Sequence, residues 1–342
     1  MDPSPRFELF VGIDIAAATF TAAWGMRDHP TTTPQQFDQT DEGFTAFQRV
    51  VQRVASPAAT IIVLEATSTY WIRLAVTLHQ AGYTIAVVNP KLLHNYAKSL
   101  PRRSKTDSLD AQVAVRFAME RPLPAWTPPP DSYHELRQRL MARDALLEMR
   151  QQARNQRHAL RQWPVVIASV EERFADMIAA LDEQVAALDQ EIAACLRVGA
   201  WAASATLLLS IPGIGIQCAA WLLVTTLNFT LSESPEALTA YAGLSPLQHE
   251  SGTSVRKGAH IGRGGNGRLR KALYMATLTA ARYNPPIQAL YTRLRERGKA
   301  MKVARCAAAR KLIHVAWAVV KHGRPFDPNW QQRAQPSPES PC

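Results

Sequence analysis

Cysteine is scarce and badly spaced for cross-linking: Cys195, Cys218, Cys306 and Cys342 are the four in the chain, and no two form a C-x-x-C pair. That disfavours both a disulfide framework and a structural zinc site and suits a reduced, cytoplasmic protein. No uninterrupted apolar run is long enough to span a bilayer. The longest, residues 202–227, is broken by Pro212, Gly213 and Gly215 and reads as two short buried helices. The opening MDPSPRFELF lacks a basic stretch followed by an apolar one, so no secretory signal is expected. No G-x-G-x-x-G follows the first apolar strand, which counts against a dinucleotide-binding domain, the nearest structural rival. Acid is almost absent from one region. Residues 251–330 hold seventeen Lys and Arg against Glu296 and Asp327 alone, whereas residues 1–130 hold twelve against eleven.

The net charge of +11 therefore sits mainly towards the C-terminus, a one-sided basic field of the kind that serves an anionic polymer, most often nucleic acid. A merely solubilising surface is the alternative. With 47% hydrophobic and 20% charged residues the chain is globular, and 342 residues suffice for at least two domains.

Residues 9–15 and 20–24 are β-prone and joined by small residues, a hairpin pattern, and Gln36 and Phe37 suggest a third strand. Asp41 reads as the N-cap of a helix carrying the helically spaced Phe44, Phe47, Val50, Val51 and Val54. Residues 60–64 return to strand, 71–80 to helix, 83–88 to strand, and helices follow near 92–100 and 107–120. Three strands, helix, strand, helix, strand, helix is the succession of a ribonuclease-H-like fold with a mixed sheet. Pro122, Pro124, Pro128, Pro129 and Pro130 predict a stiff extended linker. Two long helices, near 133–162 and 170–196 and separated by Trp163 and Pro164, follow it. They predict an antiparallel pair with an apolar surface for oligomer contact. From Trp201 to about Gly323 the pattern is helical again, apart from IPGIG at 211–215 and a Gly-rich segment at 251–267.

Asp14 and Glu65 each close an apolar strand, and Asp107 and Asp110, three apart at a helix start, share one face. Four convergent carboxylates need cations among them, and hard oxygen ligands suit magnesium, or manganese in its place. That arrangement fits two-metal phosphoryl transfer, with ions about 4 Å apart. Taken singly, these acids read as helix-start or turn residues. In the Gly-rich segment, Arg256, Lys257, Arg263, Arg268, Arg270 and Lys271 are positioned by sequence to meet phosphates. IPGIG reads either as a helix-hairpin-helix turn, whose helix-start amides hold a phosphate, or as a plain connector. Ser251 and Ser254 are candidate hydroxyl nucleophiles, with His249, Lys257 and His260 near in sequence, although serine in such a loop is ordinarily a turn former.

V-G-I-D-I at Val11, E-A-T-S-T-Y at Glu65, V-N-P at Val88 and K-T-D-S-L-D-A at Lys105 together resemble the DEDD transposases of the insertion-sequence one-hundred-ten family. I-P-G-I-G at Ile211, A-G-L-S-P at Ala242 and E-S-G-T-S-V-R at Glu250 resemble its companion transposase domain, so that the likeness runs from Phe10 to about Phe326. The resemblance implies a RuvC-like domain at 7–121, with Asp14, Glu65, Asp107 and Asp110 as metal ligands and Lys105 beside nucleic acid. Then come a linker at 122–131, long coiled-coil-like helices at 132–199, a mainly helical transposase domain at 200–326 and a disordered tail at 327–342. It further implies Ser251 as nucleophile in a magnesium-dependent strand exchange through a phosphoserine, without hydrolysis, by a homo-oligomer (dimer or tetramer) acting on donor and target DNA. A bridge RNA would supply sequence choice by base pairing. One departure is visible: Ser68 stands where the family usually has Gly, which bears on local backbone geometry and not on the carboxylate. Two other readings remain open. One is a RuvC-like junction nuclease using metal-activated water and no serine; the other is a nucleic-acid-binding remnant without catalysis.

Overall fold

The computed structural model describes residues 7–27, 29, 31–100, 107–251, 255–262 and 264–329; for 107–109, 247–251 and 255–260 it describes the backbone alone. The expected tail falls mostly on 330–342, outside the described residues. The chain divides into two compact units, Met1–Pro128 and Pro129–Cys342, and the division falls among the prolines.

Unit 1 is a mixed five-stranded sheet. Strands β1 (Leu9–Ile15), β2 (Thr19–Gly25) and β3 (Gln35–Asp38) form an antiparallel meander, and β4 (Thr60–Glu65) and β5 (Thr84–Val88) extend β1 in parallel. The order is therefore β3-β2-β1-β4-β5. Alternation along each strand makes two cores. On one face Leu9, Val11, Ile13, Ile62, Leu64 and Ile85 pack against α1 (Asp41–Gln52) and α2 (Trp71–Gln80), which present Phe44, Phe47, Val51, Leu74 and Leu78 at helical spacing. The cap of α1 is Thr40 and not the expected Asp41: Thr40 Oγ1 accepts from Gly43 N, and Asp41 is the first helical residue, an acid in the first turn. On the other face Phe10, Ile61, Val63, Ala86 and Val88 meet Leu93 and Tyr96 of α3 (Pro90–Ser99) and the Ala- and Val-rich side of α4 (Asp107–Glu120). The Pro-rich stretch is not a free spacer throughout. Trp126 N donates to Ile85 O on β5, and the Trp126 ring meets Trp71 edge-on, so the stretch is fastened to unit 1 as far as this residue.

Unit 2 begins with α5 (Asp131–Leu160) and α6 (Ala168–Arg197), an antiparallel pair. Leu136, Leu140, Ile192 and Leu196 of this pair join the buried core of the unit; towards the tip Ala153, Ile178 and Val185 are buried as well, and ion pairs flank them. Arg139 meets Glu191, Arg143 meets Asp189, Arg150 and Arg154 meet Asp182, and Arg157 and Arg161 meet Glu171. The guanidiniums hold the Glu171 and Asp182 carboxyls below their ordinary range. These six arginines share four carboxylates of α6, whereas the large excess of Lys and Arg over acids lies at 251–330. The remaining helices are α7 (Ala202–Leu209), α8 (Ile216–Thr226), α9 (Pro235–Tyr241), α10 (Gly267–Tyr283), α11 (Pro285–Glu296) and α12 (Met301–His322). They enclose the nearly all-apolar α8.

One sequence expectation changes. The Gly-rich segment, read as a loop, contains an antiparallel hairpin of β6 (Pro246–Ser251) and β7 (Val255–Ile261). Only Val255 and Ile261 are strongly β-prone there, and charged residues hide the alternation that marks a strand. No single helix among the described residues is long and apolar enough to cross a membrane.

Candidate functional site

The register of the sheet determines which acids meet. β1 and β4 pair in parallel with Ile13 beside Leu64, so the next step along both strands brings Asp14 beside Glu65, about 5 Å away across the ladder. Strand parity then decides the face. Phe10 and Gly12 on β1 and Ile61 and Val63 on β4 face α3 and α4, and Asp14 and Glu65 continue those two series.

Helix α4 reaches the same edge because of Gly12. A Cβ there would lie 2.2 Å from Ala111 O and 2.7 Å from Ala114 Cβ, so only glycine lets the helix backbone lie on the strand. The direction of α4 follows from its far end. Gly25, paired with Phe10 at the start of β1, is approached by Met119, and Arg27 Nη1 donates to Met119 O at 3.1 Å. The helix therefore runs antiparallel to β1, and its first turn, Asp107 to Asp110, lies at the end of the sheet where Asp14 and Glu65 emerge. Asp14, Glu65 and Asp110 are all partly exposed there, open to a substrate.

The loop after β4 holds Glu65. Thr67 Oγ1 donates to Glu65 Oε1, Thr67 N donates to Glu65 O at 2.8 Å, and Ala66 N donates to Val88 O at 3.0 Å. Sequence reasoning assigned Thr67 no role; its signal was a hydroxyl two residues beyond a strand-closing carboxylate. The next residue explains the departure noted above. Ser68 has φ 59, in the left-handed region that glycine occupies without penalty. Ser68→Gly is expected to stabilise unit 1 by about 1 kcal/mol, read as a higher urea midpoint of the full chain. A lower midpoint would mean that the serine side chain supports the turn.

Among the described residues no three His, Cys, Asp or Glu side chains form a metal-ligating group. Asp107 contributes no described side chain, so this inventory covers three of the four acids. By donor chemistry and by placement the acids nevertheless suit a hard divalent cation: all offer carboxylate oxygen, and two of them stand side by side on neighbouring strands.

In unit 2, Ser251 ends β6, opposite Val255, at the mouth of the hairpin turn; Glu250 pairs with Arg256 and His249 with Lys257. Ser254, Arg263 and Lys105 lie outside the described residues. Arg268 and Lys271 are exposed at the start of α10. Arg270 is committed differently: its Nη1 donates to Gly264 O at 2.8 Å and to Ala242 O at 3.2 Å, so it clamps backbone. That clamp joins two of the motifs. A Cβ on Gly243, of the A-G-L-S-P run, would lie 2.3 Å from Gly264 O, and Tyr241 O accepts from Asn266 N at 2.7 Å. The IPGIG turn joins α7 to α8 with Ile211 and Ile214 buried, and Pro212 O accepts from Asn284 Nδ2 at 3.2 Å.

The mixed sheet, its helices on both faces, and the carboxylates at the ends of its two central strands define a RuvC-like, ribonuclease-H-like domain, here followed by a mainly helical one. A DEDD transposase profile of the IS110 group matches residues 11–162, and a profile described as Transposase IS116/IS110/IS902 family matches residues 205–292. Among similar proteins, a pilin gene-inverting protein of Moraxella bovis is 32% identical over 325 residues, covering 93% of this chain and 97% of the relative. The pilin gene-inverting protein of Moraxella lacunata is 33% identical over the same length. An insertion element IS110 protein of Streptomyces coelicolor, described as uncharacterized, is 38% identical over 116 residues, 34% of this chain and 28% of that protein. The chain belongs to the IS110 family of DEDD transposases. It is accordingly a transposase or recombinase of insertion sequences, an enzyme that acts on DNA.

Proposed function

We propose that this transposase breaks and rejoins DNA strands through a phosphoserine at Ser251, with Asp14, Glu65, Asp107 and Asp110 holding magnesium at the edge of the unit 1 sheet. The observation that carries this reading is the register that sets Asp14 beside Glu65 at the sheet end where α4 begins. When bound, the divalent cation would neutralise charge on the phosphate under attack. Thr67 holds Glu65 in one orientation, and Gly12 lets α4 carry Asp107 and Asp110 to the same edge.

The Ser251 hydroxyl attacks the phosphorus, a P–Oγ bond forms, and the departing deoxyribose oxygen takes up a proton. Attack by the hydroxyl of a second strand reverses this step, restores a phosphodiester and frees the serine. No water is consumed and the number of phosphodiesters is conserved. The hairpin supplies basic neighbours for such a phosphate, since Arg256 and Lys257 lie on the strand paired with Ser251's own. A bridge RNA, paired with donor and target DNA, would select sites while the protein reads backbone and shape. Two duplexes must be handled together, which calls for a homo-oligomer.

The second reading, hydrolysis by activated water, needs the four acids and has no use for the serine. Paired variants separate the two. With RNA, DNA and magnesium supplied, Asp14→Asn is expected to silence strand breakage, and Ser251→Ala is expected to silence it equally. Breakage retained by Ser251→Ala would establish the hydrolytic reading instead.

A further inference from the structure

A cavity of about 390 Å³ opens between α5, α8 and the start of α10, at the small end of the range for ligand sites. Its walls are unusual in mixing both signs of charge. Arg137, Arg268 and Lys271 line it together with Asp144 and Glu148, and Trp221 forms its floor. The Arg268 guanidinium lies over the Trp221 ring, 5.7 Å from its centroid, and its Nε is 3.7 Å from Asp144 Oδ2. Trp221 is 6% exposed, so the guanidinium closes off the ring, while the Arg268 side chain itself remains 48% exposed. A planar cation is thus held between an aromatic face and a carboxylate with its outer side open. Arg137 Nε is buried with no hydrogen-bond partner among the described residues, a donor whose burial costs stability unless an acceptor meets it.

These walls restrict the ligand. A bare phosphate chain would use the three cations but leave Asp144 and Glu148 facing like charge. An apolar ligand would strand five charges. What fits is a planar molecule that donates hydrogen bonds at one edge and accepts them, or carries negative charge, at another. Guanine has adjacent N1–H and N2–H donors that match a carboxylate and O6 and N7 acceptors that match arginine. Arginine is also a platform on which an unpaired base stacks. Asp144 and Glu148 are one helical turn apart on α5 and share its face.

We propose that this cavity is a guanine nucleotide site: the base stacks on Arg268, its donor edge faces Asp144 and Glu148, and Lys271 meets the phosphate. The site goes beyond the strand chemistry proposed above and assigns the mixed charges a task that backbone binding leaves unexplained. Its ligand is either a free nucleotide or one unpaired guanosine in a strand.

The test uses the full chain and equilibrium binding of guanosine monophosphate, the other three nucleoside monophosphates, guanosine and inorganic phosphate. A further pair of probes is a short deoxythymidine oligomer with and without one central deoxyguanosine. The guanine nucleotide is expected to bind about tenfold more tightly than the other nucleotides. Glu148→Gln, at an exposed position, should remove that preference. Lys271→Ala should weaken the nucleotide and leave guanosine unchanged. Gain from the central deoxyguanosine indicates a strand ligand; tight monophosphate binding without that gain indicates a free one. Equal binding of all nucleotides with full competition by phosphate overturns the proposal, as does the absence of saturable binding by both probes. Strand breakage is not read here, so a failure of the serine chemistry leaves this result unaffected.

Discussion

Asp14→Asn is expected to lower strand breakage on the order of 10³-fold while leaving the chain folded. A divalent cation contributes several kcal/mol of charge stabilisation to phosphoryl transfer, and about 1.4 kcal/mol corresponds to each factor of ten. The substitution preserves shape and removes charge at the position where β1 and β4 converge. Glu65→Gln should behave alike, because Glu65 occupies the neighbouring place in the ladder. The check is cleavage of labelled donor DNA across a magnesium titration, beside a far-ultraviolet dichroism spectrum. If Asp14→Asn kept activity within a few-fold of the parent, the carboxylate edge would not be the site of chemistry.

Gly12→Ala is expected to cost roughly 3 kcal/mol of stability. The added Cβ would meet the Ala111 carbonyl oxygen at 2.2 Å, and backbone cannot swing aside as a flexible side chain can. Relief requires α4 to lift from β1, which carries Asp107 and Asp110 away from Asp14. Activity should therefore fall even at temperatures where the variant remains folded. Urea unfolding together with the cleavage assay checks both parts. Unchanged stability with unchanged activity would show that the helix is not held by this close approach.

Much of unit 1 was legible in the sequence because its signals are local. Apolar runs at 9–15 and 60–64 carry single acids near their ends, and Phe44, Phe47 and Val51 repeat at helical spacing after a capping residue, which is Thr40 in place of the expected Asp41. Those features carried the fold order and the candidate acids together. What the sequence concealed depends on register or on distance along the chain. That Asp14 lies beside Glu65 follows only from the parallel pairing of β1 with β4. The hairpin at 246–261 is hidden because its residues are mostly polar, and nothing local to Arg270 shows that its guanidinium donates to two backbone carbonyls. The mixed-charge cavity joins Arg137 to Lys271, more than a hundred residues apart in sequence, and no local pattern connects them. Ser68 is the instructive intermediate case: the missing glycine was visible, and its positive φ gives the reason for noticing it.

The most direct test of the central claim is peptide mapping of the protein–DNA adduct. The parent chain is incubated with labelled DNA and magnesium, with and without the proposed bridge RNA, denatured, and digested with protease and nuclease. The account predicts a nucleotide remnant esterified to Ser251, absent without magnesium and absent in Asp14→Asn. Efficient strand breakage with no covalently held DNA, or with the remnant on another residue, would contradict it.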